Sequence, residues 1–95
     1  MAFKLEISVE APVDVEAAVD WYNDQLPRLG GKFLIDFRNT LRYIVEHQYS
    51  FRKFNTSNRE AGLLTFPYLI IYKVEVNKIT VLGVINTHQN PTNKL

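Results

Sequence analysis

The side chains of this chain that could take part in chemistry are mainly cationic, and they are concentrated in the middle of the sequence. Residues 1–27 hold one lysine against six carboxylates, a net charge of −5. Residues 28–59 have a net charge of +5, because two carboxylates stand against seven cations: Arg28, Lys32, Arg38, Arg42, Arg52, Lys53 and Arg59. A basic segment in a chain whose total charge is +1 favours an anionic partner, either nucleic acid or an acidic protein. The alternative is that this segment complements the acidic N-terminal segment of the same chain.

Composition argues against several kinds of reactive site. The chain has no cysteine, so it has neither a disulfide framework nor a thiol nucleophile. Its two histidines, His47 and His88, are too few for a four-ligand zinc site. The sequence also lacks a glycine-rich phosphate loop and a Ser/His/Asp arrangement. We therefore expect no metal and no cofactor.

Size and hydropathy predict a small cytoplasmic protein. Ninety-five residues are the size of one domain, residues 1–95. No apolar run approaches the roughly 18 residues that a transmembrane helix needs. Glu6 comes too early for a secretory signal peptide, so we expect no contact with a membrane.

The first half of the chain predicts a strand followed by two helices. Apolar and polar residues alternate over residues 3–9, which is the period of a half-buried strand. Pro12 suits the first turn of a helix, and Pro27 and Gly30-Gly31 mark its end. The short linker predicts an antiparallel hairpin with a second helix. That helix has a buried face at helical spacing: Phe33, Phe37, Leu41, Ile44 and Val45.

The second half of the chain predicts strands. Residues 48–58 are polar, with one short strand at residues 51–54. Three further strands are expected at about Arg59–Leu64, Tyr68–Val76 and Ile79–Asn86. The predicted order is β-α-α-β-β-β, an α+β domain whose N-terminal helical hairpin packs on one face of a mainly antiparallel sheet of about four strands.

The last two strands form a hairpin whose register can be predicted. Asn77-Lys78 is expected to be a two-residue loop, because asparagine tolerates the left-handed backbone that such loops require. Val76 then faces Ile79, and Tyr72 faces Gly83. One face of the pair is almost wholly apolar and should lie under the helices: Tyr68, Ile70, Tyr72, Val74, Val76, Ile79, Val81 and Ile85.

The opposite face of this hairpin carries a second apolar set. Leu69, Ile71, Leu82 and Val84 should form a patch on the side that the helices leave uncovered. Exposed apolar surface rimmed by polar groups is typical of a groove or a partner-binding site. The alternative is that residues 48–58 or the C-terminal tail fold over the patch.

The order of these features resembles the RelE/ParE superfamily of bacterial toxins, and is most similar to its ParE-like or plasmid-stabilisation branch. The resemblance covers nearly the whole chain. It rests on a series of short motifs in the family's order and spacing: Ala-Pro-x-Asp at residues 11–14, Trp21-Tyr22, Leu-Gly at residues 29–30, Arg59, the run from Phe66 to Tyr72, and residues 81–84.

The resemblance implies a toxin of a bacterial toxin–antitoxin pair. RelE-like members cleave messenger RNA on the ribosome without a metal ion, whereas ParE-like members inhibit DNA gyrase. In both, the C-terminal segment of an antitoxin wraps the toxin and silences it. The apolar patch then becomes the expected antitoxin-binding surface: Leu69, Ile71, Leu82 and Val84.

The nuclease residues of the family are retained only in part. Cleavage through the RNA 2′-hydroxyl needs a general base, a general acid and cations that stabilise the phosphorane. Arg59 matches the arginine that the family places at the start of a strand. Asn86 and Gln89, however, stand where many relatives have histidine and arginine. An amide is no base near neutral pH, so His88 is the residue left to replace the lost histidine.

We therefore predict a type II toxin that acts by binding and inhibiting DNA gyrase and forms a hetero-oligomer with its antitoxin. Asn86 and Gln89 favour a protein that is not an enzyme, but the sequence leaves this question open. Its predicted target-binding residues are Arg52, Lys53, Arg59, Asn86 and Gln89. One alternative is a ribosome-dependent messenger RNA endoribonuclease, in which Arg59 and His88 are catalytic. A second alternative is a detoxified relative that only binds antitoxin.

Overall fold

A helical hairpin packed on a four-stranded sheet makes up the fold. The computed structural model describes residues 3–88. In chain order the elements are β1 (Lys4–Ile7), α1 (Glu10–Gln25), α2 (Leu29–Glu46), β2 (Arg59–Gly62), β3 (Tyr68–Glu75) and β4 (Lys78–Asn86). The strands lie in the order β1-β4-β3-β2, with β1 parallel to β4 and the other neighbours antiparallel. The predicted α+β class and element order are confirmed.

Element ends differ from the predicted ones by a few residues. α1 begins at Glu10, two residues before Pro12. β2 ends at Gly62 rather than near Leu64. The short strand expected at residues 51–54 is reduced to one bridge, between Lys53 and Arg59.

The turn between the helices forces them close together at Gly30. Arg28 takes a left-handed backbone conformation, with φ at 73°, and so turns the chain sharply into α2. The Gly30 N–H donates to Asn23 Oδ1 on α1 at 2.8 Å. A Cβ at position 30 would lie 2.6 Å from the backbone oxygen of Val19, so only glycine fits this contact.

The core lies between the hairpin and one face of the sheet. At the end where β3 begins, four aromatic rings pack edge-on or stacked, with the centroids of Tyr22 and Phe66 4.7 Å apart and those of Phe33 and Tyr68 5.0 Å apart. The other buried members of the core come from both layers: Ala11, Ala18, Phe37, Ile44, Ala61, Ile70, Tyr72, Ile79, Val81 and Val84.

The predicted register of the β3–β4 hairpin is wrong. Its loop is Val76-Asn77, because Glu75 pairs with Lys78, and Val76 is 88% exposed instead of buried. Further along, Tyr72 pairs with Val81 but Ile71 pairs with Gly83, so one residue of β4 forms a β-bulge. An extra residue reverses the side-chain alternation beyond it.

Hydrogen bonds from the β1–α1 segment hold this bulge. The Leu82 carbonyl accepts from the Ser8 hydroxyl at 2.9 Å. The Val84 N–H donates to Asp14 Oδ2 at 3.0 Å. The peptide groups that the strand ladder leaves unpaired at the bulge therefore have partners.

The predicted apolar patch on the second sheet face is not present in the form expected. Beyond the bulge Val84 faces the helices and is 2% exposed. Ile71 is fully buried, and Leu69 and Leu82 are only partly exposed. The bulge moves Val84 into the core and places Ile85 opposite Leu69 instead. Because Ile71 is also buried, the four residues do not form one exposed surface for an antitoxin.

Asp36 ties α2 to the loop between β2 and β3. Its side chain is almost completely buried, and its carboxylate accepts three consecutive backbone N–H groups, those of Leu64, Thr65 and Phe66, at 2.8–3.2 Å. Hydrogen bonds to an ionised acceptor are about twice as strong as neutral ones. These bonds fix where Phe66 enters the ring cluster and where β3 starts.

Replacing Asp36 by asparagine should lower the free energy of unfolding by about 2–4 kcal/mol, because the amide sets its own N–H against backbone donors. Urea denaturation measures this change. The control Asp24→Asn, at an exposed position of α1, should change the stability by less than about 0.5 kcal/mol. An Asp36→Asn protein as stable as the wild type would contradict the role of this carboxylate as the loop anchor.

Two adjacent glycines allow a matched test of the helix contact. Gly30→Ala should destabilise the protein by about 1–3 kcal/mol, because the new methyl group overlaps the Val19 backbone. Gly31→Ala adds a methyl group with nothing within 4 Å and should stabilise α2 by about 0.5–1 kcal/mol. Thermal unfolding of both variants checks the pair, and equal effects would refute the close contact.

Candidate functional site

Arg59, the central residue of the predicted target site, holds the chain segment that follows α2. It stands at the start of β2, and its Nη1 donates to the Phe51 carbonyl at 2.6 Å and, at 3.4 Å, to that of Tyr49. Its guanidinium carbon lies 5.5 Å from the centroid of the Tyr49 ring, a cation–π distance. This arrangement gives Arg59 a structural role that its sequence position does not reveal.

Arg52 and Lys53 lie beside Arg59, but within residues 3–88 Arg52 forms an ion pair and Lys53 does not. Arg52 Nε contacts Glu60 Oε2 at 2.6 Å, and the Glu60 side chain is only 11% exposed. The charge of Arg52 is therefore matched by a carboxylate. Lys53 is exposed and makes no ion pair with any carboxylate of residues 3–88.

Tyr72 is fully buried next to Arg59. The two residues are cross-strand partners, and the Tyr72 hydroxyl donates to the Gln48 carbonyl at 2.8 Å. Burial raises the pKa of Tyr72 to about 12, against a small opposing effect of the Arg59 charge. The phenol thus stays protonated and keeps its hydrogen bond at neutral pH.

Asn86 and His88 lie at the other end of β3. Asn86 pairs with Tyr68, whereas Arg59 pairs with Tyr72. Four residues of strand span on the order of 13 Å, and His88 lies beyond Asn86. The His88 N–H donates to Asn86 Oδ1 at 2.7 Å, in an exposed turn. The structure therefore does not bring Arg59 and His88 together, and Gln89 lies outside the described residues.

Asn86 and His88 instead belong to a groove of about 630 Å³ between α1 and the end of β4, which we call the α1–β4 groove. Asp14, Trp21 and Tyr68 also line it. Trp21 is 56% exposed and packs edge-on against the buried Tyr22. Tyr22 is therefore part of the core, whereas Trp21 lines the groove.

Burial also affects the Tyr22 hydroxyl next to this groove. It raises the pKa of Tyr22 above its ordinary value of 10.0, and Tyr68 beside it adds to the rise. The lining of the groove is suited to contact with a partner side chain through apolar walls and polar ends.

A second groove, of about 570 Å³, was missed by the sequence reasoning. We call it the hairpin groove, because Val15 and Val19 of α1 and Leu34 and Leu41 of α2 line it beside Ile7 of β1. Glu16, Asp20 and Arg38 stand at its sides. The available signal was the spacing of four that relates Ala11, Val15 and Val19 along one side of α1.

Residues 3–88 contain neither a candidate metal-binding cluster nor a membrane-spanning helix. No group of three or more histidine, aspartate or glutamate side chains in this part of the chain is placed to hold a metal ion. None of its helices combines the length and the apolar character that crossing a membrane requires.

Comparison with known proteins places the fold. No protein-family model matches the sequence, and no curated protein does so. A solved structure described as the chromosomal ParDE TA system from P. aeruginosa contains a chain with a TM-score of 0.78 to this one. The match covers 88% of this chain and 95% of that chain, at 20% sequence identity. This chain has a ParE-like fold. The architecture implied by the RelE/ParE resemblance is therefore confirmed.

In this ParE-like fold the predicted target residues divide between two places. Arg52, Lys53 and Arg59 lie beside the segment after α2, and Asn86 lies in the α1–β4 groove. Large apolar side chains that are exposed occur on α1, α2, β1 and the loops, with Trp21 on α1 and Ile35 on α2 among them.

The high pKa of Tyr72 predicts how stability depends on pH. The ordinary pKa of 10.0 applies to the unfolded chain and about 12 to the folded one, so ionisation favours unfolding between these values. The stability that Tyr72 contributes is complete below pH 10 and is lost as the pH approaches 12. The excess stability of the wild type over Tyr72→Phe should therefore shrink across this range in urea denaturation. A difference that stays constant with pH would contradict the assignment.

Proposed function

We propose that this chain is the toxin of a bacterial type II toxin–antitoxin module, and that it acts in the cytoplasm by binding and inhibiting DNA gyrase. The observation that carries the proposal is the fold shared with a chain of the P. aeruginosa ParDE system over 88% of this chain. The gyrase target and a plasmid-stabilising role follow from the ParE-like branch that the motifs resemble.

The geometry favours binding over RNA cleavage. General acid–base catalysis needs the base and the charge-stabilising cation around one reacting phosphate. Arg59 directs its Nη1 at backbone carbonyls, and its strand position is far from that of His88. Asn86 offers an amide at the end of β4, where a catalytic histidine would be required. A protein that acts through surface contact needs none of these groups.

The hairpin groove is the surface that suits the antitoxin. It offers a continuous apolar lining between two helices and a strand, with charged side chains at its sides. An amphipathic segment recognises such a groove through apolar side chains spaced along one face. This assignment replaces the sheet-face patch, whose residues Ile71 and Val84 are buried.

Induced expression in bacteria, combined with two assays on the purified protein, tests the proposal. Expression should arrest growth, and the purified protein should inhibit supercoiling by DNA gyrase without cleaving messenger RNA on ribosomes. His88→Ala should leave the arrest unchanged. Ribosome-dependent cleavage that His88→Ala abolishes would establish the endoribonuclease instead, and absence of any growth arrest would favour the detoxified relative.

Neutralisation by the antitoxin tests the hairpin groove. The probe is the product of the reading frame adjacent to the toxin gene, co-expressed with the toxin. Val19→Asp places a charge in the groove and should abolish rescue of growth, whereas Val76→Asp, in the exposed β3–β4 loop, should be rescued like the wild type. Circular dichroism confirms that both variants fold. Full rescue of the Val19→Asp strain would remove the groove from the proposal.

A further inference from the structure

The outward face of α2 combines cations with exposed apolar side chains. We define this α2 outer face by Lys32, Ile35, Arg38, Asn39 and Arg42, all of which are exposed. Ile35 is 60% exposed, although contact between a large aliphatic side chain and water is energetically unfavourable. The opposite side of the same helix is formed by buried residues such as Phe33, Phe37 and Ile44.

Helical spacing makes these residues one continuous surface. Ile35 is three residues before Arg38, four before Asn39 and seven before Arg42, and residues at these spacings are neighbours on a helix. Lys32 lies one turn earlier on the same side. Ile35 is thus flanked by the cations Lys32 and Arg38, and Arg42 lies two turns further along the helix.

The charges of this face are not matched within the described chain. Lys32, Arg38 and Arg42 form no ion pair within 4.0 Å with any carboxylate of residues 3–88. Asp36 is the acidic residue in the middle of α2 that could have neutralised these cations. It is buried, however, and its carboxylate accepts three backbone N–H groups. Glu46, at the end of the helix, is the exposed acid that remains on α2.

The β2–β3 loop extends the surface with another apolar group. Leu64 is 83% exposed, and it lines a cleft of about 320 Å³ together with Asn39, Arg42, Tyr43 and Glu46. Its backbone N–H is held by Asp36 Oδ1 at 3.2 Å. The anchored loop therefore holds an exposed leucine beside Arg42.

The apolar groups favour a protein partner over nucleic acid. A phosphate backbone offers charge to Arg38 and Arg42, but it offers no apolar group to Ile35 and Leu64. Protein interfaces, in contrast, combine an apolar centre with polar and charged groups around it.

We propose that the α2 outer face, with Leu64, is the contact surface for the target protein, and that the target presents carboxylates around an apolar side chain. This inference rests on the proposed function and deepens it, because it moves the target contact from the predicted Arg52, Lys53 and Arg59 to α2. The cations steer an acidic partner and fix its orientation, and Ile35 and Leu64 supply the desolvated centre.

Binding to purified bacterial DNA gyrase, immobilised on a sensor surface, tests the inference. Arg42→Glu and Ile35→Asp should each weaken binding by at least about ten-fold, and Arg42→Gln by a smaller factor. Lys73→Glu, an exposed charge reversal on β3 away from the helices, should bind like the wild type. Raised salt should weaken binding by the wild type more than binding by Arg42→Glu. Thermal unfolding of each variant confirms that it is folded.

The outcomes separate this inference from the proposed function. If the wild type binds gyrase and the α2 variants bind equally well, the inference is overturned and the gyrase target stands. If the wild type does not bind gyrase, the target proposal fails, and growth arrest decides the inference: α2 variants that still arrest growth fully overturn it, whereas loss of arrest at equal protein level supports it.

Two alternative occupants of the face are tested with the same variants. Binding to a labelled oligonucleotide that Arg42→Glu abolishes, without loss of growth arrest, would assign the face to nucleic acid. Self-association of the wild type in sedimentation that Ile35→Asp abolishes would assign it to a second copy, through its acidic N-terminal segment. Either result would overturn the proposal of an acidic protein target.

Discussion

The β-bulge at Leu82 is the constraint on which the surfaces of this molecule depend. Its carbonyl is held by the Ser8 hydroxyl, and the Val84 N–H is held by Asp14. Partly buried polar groups left without these partners would cost about 1–3 kcal/mol each. The bulge turns Val84 and Asn86 toward α1. It thereby adds Val84 to the core, forms one wall of the α1–β4 groove and takes Val84 out of the predicted patch on the outer sheet face.

Asp36 determines the character of the helical layer in a similar way. Its carboxylate neutralises no cation of α2, because it is buried against the backbone of residues 64–66. The exposed side of α2 is therefore more basic than the composition of the helix suggests. The same hydrogen bonds direct Phe66 into the core and leave Leu64 in solvent. One internal interaction thus shapes both the packing and the candidate binding face.

Periodicity was enough to predict the elements and their order, because the strands and helices of this chain bury one face each. The hairpin register was not predictable, because it depends on a bulge that Ser8 and Asp14, which precede it by some 70 residues, stabilise. Arg59 was predicted from its position and charge to contact a target. Its backbone partners lie in an irregular segment with no periodic signal, so its structural role could not be predicted.

We propose that this ParE-like fold arrests growth by contact with a protein target rather than by RNA chemistry. Host mutants that survive induced expression identify that target most directly, once fresh copies of the toxin gene show that the resistance lies in the host. Resistance mutations are expected in the genes for DNA gyrase, at sites where the substituted residue removes a carboxylate or an apolar contact. Resistance confined to ribosomal components would contradict it.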